Sequence, residues 1–252
     1  MKYAVYCFTI LLFLLCAPVW ASTDEISFTS DTMQYDMEAR RFYAEGNVTI
    51  KGRGMVIVST HAIGHIDNNV FNLTGNVAIS GIWNGDNVQL AAMSATAEIG
   101  AQSVYTFESG ISGTLGNVSI DCEFLQIKGD NITARNVRKL QDQKAGITFS
   151  AANVNGRINN GNLTEAEAEG SIIIKGSPGK GNDIVELRGK KALYSIDRGT
   201  IVVSGGVSAT QNKRTLNADS IVYFPDSNRI EAIGNSRITV NINDDILPSP
   251  SP

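Results

Sequence analysis

The stretch Asp31-Thr32-Met33-Gln34-Tyr35, followed by Arg41-Phe42-Tyr43-Ala44-Glu45-Gly46-Asn47-Val48-Thr49-Ile50, decides the fold, because the chain writes it twice. It returns 188 residues later as Asp219-Ser220-Ile221-Val222-Tyr223, then Arg229-Ile230-Glu231-Ala232-Ile233-Gly234-Asn235-Ser236-Arg237-Ile238. A weaker copy runs from Tyr194 through Ile201 and Val203 to Gly205-Gly206-Val207, and another covers Phe71 to Ile79. Gly46 and Gly75 are 29 residues apart, as are Gly205 and Gly234. Recurrence at a fixed period marks a stacked array, in which each unit needs its neighbours to bury its apolar face.

Within each copy the apolar residues alternate. Ile26 and Phe28, Val48 and Ile50, Val77 and Ile79, Val118 and Ile120, and Ile238, Val240 and Ile242 each flank a polar or small residue. Alternation places one set on one face of a strand and the other set on the opposite face. Ile172 to Ile174 is a continuous β-branched run. Between the runs stand Gly46-Asn47, Gly75-Asn76, Gly116-Asn117 and Gly234-Asn235, residues that accept the positive φ of turns and bulges. Residues 88–99 come nearest to a helical period and are read as strand. The unit is then a strand ending in Tyr, a turn, a second strand, Gly-Asn and a third short strand. About sixteen such strands are expected to pack as two facing sheets, an elongated twisted antiparallel jelly roll. A parallel β-helix is the competitor, but its turns repeat at closer intervals.

The chain has 252 residues, a net charge of −4 and two histidines. The charge argues against a nucleic-acid partner, which calls for a basic face. Two histidines leave little for a His-based metal centre or a Ser-His-Asp triad. His61 and His65 read as a surface pair. Gly176 to Gly181 lacks the spacing of a phosphate loop and reads as a hairpin loop. Glu165, Glu167 and Glu169, alternating with Ala166 and Ala168, read as the wet face of a strand. The sequons at Asn47, Asn72, Asn117, Asn131 and Asn162 arise from Gly-Asn turns running into Thr- and Ser-rich strands. No catalytic residue, metal or cofactor is expected.

Residues 1–21 read as a cleavable signal peptide: Lys2, an apolar run from Tyr3 to Cys16, then Val19 and Ala21 at the small-residue positions before a cut. An uncleaved anchor is the rival, since the segment is long enough to span a bilayer; Pro18 and the cleavage pattern favour removal. Leu15 is too bulky to precede a lipidated Cys16. Cleavage leaves Cys122 as the only cysteine, so no internal disulfide forms, and Cys122 reads as a small buried apolar residue. The remaining chain divides into a first β region at 22–128, a second continuous with it at 129–243, and a disordered tail at 244–252 ending in Pro-Ser-Pro-Ser-Pro.

The ordered set Asp31, Tyr35, Ala44, Gly46, Asn47 and Val48, with its second copy from Leu216 to Asn235, resembles the OstA-like domain family. This is the family of the lipopolysaccharide-transport proteins LptA, LptC and LptD, and the chain is most similar to the LptA type. The likeness covers residues 26–80 and 190–242 and fades from about 85 to 165, where an inserted or duplicated region is expected. The resemblance implies a periplasmic, non-catalytic carrier whose jelly roll encloses an apolar groove for the acyl chains of lipopolysaccharide. It also implies head-to-tail self-association and contact with LptC-like and LptD-like jelly rolls. Alternation nominates Ile26, Phe28, Val48, Ile50, Val77, Ile79, Ile238, Val240 and Ile242 as inward; they line a groove if the sheets splay, and form ordinary core if they do not. Residues 26–30 and 238–242 carry neither charge nor proline, so both terminal strands invite strand addition. The rival readings are a secreted structural or adhesive β-repeat protein without a lipid ligand, and a carbohydrate-active enzyme on a β-helix.

Overall fold

The computed structural model describes residues 26–52, 54–65, 67–100, 102–176, 184–227 and 229–240. The expected signal peptide, the tail, Ile242 and most of the 176–181 loop lie outside the described residues.

The chain is all-β. Its strands begin with β1 (Ser27–Thr29), β2 (Thr32–Asp36), β3 (Arg41–Gly52), β4 (Met55–His65), β5 (Val70–Trp83) and β6 (Asp86–Glu98). They continue with β7 (Val104–Leu115), β8 (Val118–Lys128), β9 (Asn131–Asp142), β10 (Ile147–Asn159) and β11 (Asn162–Gly176). Last come β12 (Val185–Ser195), β13 (Thr200–Gln211), β14 (Arg214–Phe224), β15 (Arg229–Ile233) and β16 (Arg237–Val240). From β3 to β15 each strand pairs antiparallel with the next. β1 and β2 both pair with β3, on Thr49–Lys51 and Arg41–Glu45, and act as one interrupted strand. β15 and β16 share β14 in the same way. The middle, where the repeat fades, has the same architecture as the ends. The boundary expected at 128/129 falls in the hairpin turn between β8 and β9, through which the sheet runs unbroken.

There is one 16-stranded sheet where two facing sheets were expected. Every strand from β3 to β13 shifts register near its middle, for example between Glu45 and Val48, Thr74 and Val77, Glu108 and Ile111, and Ser204 and Val207. These bulges line up as a fold line, and along it the sheet doubles back into two leaves. The residues that make the fold line lie in the left-handed region: Gly46 and Asn47 at φ 74° and 46°, Gly75 and Asn76 at 77° and 53°, Gly205 and Gly206 at 90° and 75°. A bulge bends its strand and sharpens the local twist, and a row of them closes a sheet. The Gly-Asn pairs at 46–47 and 75–76 are thus bulges inside single strands and not turns between a second strand and a third. Gly116-Asn117 alone among the four pairs is a hairpin turn.

The repeated motif has a physical reason. The Asp31 N–H donates to the Gly46 carbonyl at 2.9 Å, and Asn47 Nδ2 donates to Asp31 Oδ2 at 2.9 Å. In the second copy the Asp219 N–H donates to the Gly234 carbonyl at 3.3 Å and Asn235 Nδ2 to Asp219 Oδ2 at 3.1 Å. A Cβ on Gly46 or Gly234 would stand 2.4 or 2.3 Å from the paired aspartate oxygen. The middle solves the same problem with other residues. Ser109 and Gly110 take φ 65° and 64°, the Gly110 N–H donates to Glu123, and Arg138 bridges Glu123 and Asp121.

At roughly 4.8 Å per strand the folded sheet is about 60 Å long, far longer than its half-strands are wide, so the molecule is an elongated, twisted jelly roll. Its core is the space between the leaves. Ile111, Leu125, Leu140, Phe149, Leu163 and Ile172 are each at most 1% exposed there. Each contributes roughly 1.5–3 kcal/mol by leaving water. Glu165, Glu167 and Glu169 face out while Ala166 and Ala168 are buried.

Candidate functional site: the apolar interior and its openings

Six of the nine nominated inward residues come together. Phe28 lies opposite Ile50, Ile50 opposite Ile57, and Ile57 opposite Ile79. Val48, Ile50, Val77 and Ile79 are buried to 1–2% exposure, while Ile26 and Phe28 are partly buried against them. Phe28 also reaches the other leaf, with its ring 4.9 Å from Phe42 and 5.0 Å from Phe71.

Ile238 and Val240 stand at the opposite end of the sheet and are 69% and 51% exposed. Ile238 pairs directly with Leu216, a core-packed residue two before buried Ala218, so it faces inward, and among the described residues nothing packs across from it. Ile238 and Val240 thus face inward but are not buried. Tyr35 and Tyr223, equivalent in the repeat, diverge for the same reason. Tyr223 is 1% exposed on β14 within the sheet, whereas Tyr35 on terminal β2 is 46% exposed. Met33 and Tyr35 lie opposite buried Ala44 and Phe42 and so also face inward, uncovered.

The long edges of the two leaves meet in a seam that sequence reading did not find. Trp83 Nε1 donates to the Gly129 carbonyl at 3.1 Å, and Asn84 Nδ2 to Asp130 Oδ1 at 2.9 Å. Further along, the Asn117 N–H donates to the Gly161 carbonyl at 2.7 Å, and the Leu163 N–H to Asp142 Oδ2 at 3.2 Å. The seam opens on either side of this zipped stretch. One cleft of about 390 Å³ lies beside Trp83, between Met55 and Ile82 on one leaf and Ser103 and Lys128 on the other. A second, of about 200 Å³, lies between Asp142 and Ile147 on one leaf and Tyr194 and Asp226 on the other.

Burial governs the titratable groups of the interior. It pushes the Cys122 thiol, whose Sγ donates to the Phe124 carbonyl, up to about 11. It pushes the Tyr194 phenol up to about 12, with the charges of Asp142 and Asp226 adding to the effect. An unfolded cysteine titrates near ~8.5 and a tyrosine near ~10, so the unfolded chain loses these protons first. Stability is therefore expected to hold below about pH 8 and to fall as pH rises toward about 11. Urea midpoints across that range check this, and a midpoint unchanged at the alkaline end would contradict it.

His61 Nε2 sits 3.4 Å from Glu45 Oε1 on the outer surface. Among the described residues no three of His, Cys, Asp and Glu gather where they could hold a metal ion.

No family model and no curated protein matches this chain. Among solved structures it is similar to the crystal structure of LptH, the LptA homologous periplasmic component of the conserved lipopolysaccharide transport device from Pseudomonas aeruginosa. The identity is 9%, the match covers 87% of this chain and 96% of that one, and the TM-score is 0.27. At that level the likeness bears on neither ligand nor partner.

Proposed function

We propose that this chain is a non-catalytic periplasmic carrier that shelters the acyl chains of lipopolysaccharide between its leaves, as one segment of a bridge between the inner and outer membranes. One observation carries the reading. The apolar interior runs along the whole sheet between two terminal strands, and its inward residues are left uncovered at both ends, Met33 and Tyr35 at one and Ile238 and Val240 at the other. Each terminal strand also presents a row of backbone groups that can pair with another chain. A second copy joined head to tail, or an LptC-like or LptD-like jelly roll, would continue the sheet and cover these side chains. Burying an acyl chain contributes about 0.8 kcal/mol per CH₂, and many similar weak contacts suit onward transfer.

The close packing of the interior favours a second reading, a secreted structural or adhesive β-repeat protein with no lipid ligand. A benzoylphenylalanine photo-crosslinker separates the two. Placed at Phe28, which faces the interior, it is expected to capture lipopolysaccharide; placed at exposed Thr29 it is expected to capture none. Absence of adducts at Phe28, Ile50 and Val240 alike would leave the structural reading standing.

A further inference from the structure

The interior beside the seam is too small, as it stands, for an acyl chain. The space lined by Val88, Leu115, Ile127, Ile132 and Ile158, with Asp86 and Asp130 also on its wall, measures about 80 Å³, whereas sites for organic ligands run to roughly 300–1,000 Å³. On the outer side of Trp83 lies the open cleft of about 390 Å³, walled by Gln102, Ser103, Lys128 and Asn131. Trp83, Asn84 and Gly129 line both spaces, so the indole is their common wall.

The indole is half-buried and packs against the core. Its Nε1 donates to the Gly129 carbonyl across the seam at 3.1 Å. Its ring meets Tyr105 edge-on, with centroids 4.9 Å apart and planes at 77°. Asn84, next in sequence, adds the side-chain bond to Asp130. No backbone pairing ties the two leaves at this point: Trp83 pairs with Asp86 in its own hairpin, and Gly129 sits in the turn between β8 and β9. The cleft by itself is already the size of an ordinary ligand site, and turning the indole aside would remove the wall that it forms between the cleft and the smaller space.

We infer that Trp83 is the door of a lateral port for an anionic amphiphile with an acyl chain. The chain passes the indole into the space between Val88 and Ile158, while the head stays in the outer cleft. Lys128 is the one charged residue lining that cleft among the described residues, and it stands among neutral amides and a hydroxyl. A carboxylate or phosphate head meets a cation there, and polar atoms that replace its water. The inference rests on the lipid-carrier reading and adds the place and side of entry. A chain loaded through the terminal mouths alone would meet only the inner face of Trp83 and would not need the indole to move.

Trp83 reports on its own door, because Trp20 is the only other tryptophan. In the full chain carrying Trp20→Phe, stearate brominated at mid-chain is expected to quench most of the Trp83 emission saturably, since bromine quenches an indole only near contact. Unbrominated stearate is expected to leave it unchanged. Trp83→Ala is expected to speed the uptake of cis-parinaric acid about tenfold, the factor that corresponds to about 1.4 kcal/mol off a barrier. Trp83→Phe, which loses the N–H but keeps a ring, should speed it less. Parinarate that binds while brominated stearate leaves Trp83 bright would overturn the port and leave the carrier standing. Failure of parinarate to bind the parent chain would overturn both. The quenching arm uses the native indole and stands even where Trp83→Ala fails to fold.

Discussion

Asp142→Ala is expected to lower the unfolding free energy by about 3 kcal/mol. Asp142 is the one charged residue in the core, at 1% exposure among the described residues. Its Oδ1 accepts the N–H groups of Lys144 and Ala145, which shapes the turn between β9 and β10. Its Oδ2 accepts the N–H of Leu163, a residue with no exposure, from the opposite edge of the seam. Removing the carboxylate leaves that buried N–H with neither protein nor water, and a buried orphan costs about 1–3 kcal/mol by itself. The turn N–H groups lie nearer the surface and recover part of their loss from solvent. Asp142→Asn should fall between parent and alanine, because one oxygen still serves the turn while the amide NH₂ faces the Leu163 N–H. Urea unfolding at constant m-value is the measurement. A loss for Asp142→Ala no larger than an ordinary surface change would show that the seam is not held there.

Gly113→Ala is expected to cost about 3 kcal/mol or to prevent folding. Gly113 has φ 148°, and a Cβ there would lie 2.0 Å from the Gln89 carbonyl oxygen and 2.8 Å from Leu90 Cα. Both atoms are backbone of the neighbouring strand and cannot turn aside. The same device appears at Gly81, with φ 144° and a Cβ 2.2 Å from the Gly54 oxygen. Gly110 supplies the control. Its φ of 64° strains any side chain, but a Cβ there meets nothing within 4 Å. Gly110→Ala should therefore cost only about 1 kcal/mol. Thermal melts of the two variants decide the matter, and equal losses would mean that the neighbouring strand yields.

The strands and their faces were legible in the residues, since period-two alternation needs only the chain itself. The bulges were harder. Phe42 and Ala44 are buried before the Gly46-Asn47 bulge, and Val48 and Ile50 after it. The alternation carries through the bulge with its parity unchanged, so one bent strand and two strands joined by a turn look alike in sequence. The middle of the fold was hidden for a related reason. Its bulges use Ser109-Gly110, Asn136 and Gly170, all at positive φ, in place of Gly-Asn, and the Glu123–Arg138 pair replaces the Asp–Asn pair.

By itself, then, the sequence determined an all-β chain and the face that its alternating strands turn inward. Those features depend on neighbours along the strand or one hairpin away. Only the tertiary structure decided that there is one sheet and that its edges zip together. It alone placed Ile238 and Val240 on an inward face with no cover. The seam joins Trp83 to Gly129 and Asn84 to Asp130, each pair 46 residues apart. Which residues meet there is set by the twist accumulated over several strands, a sum that no local pattern records.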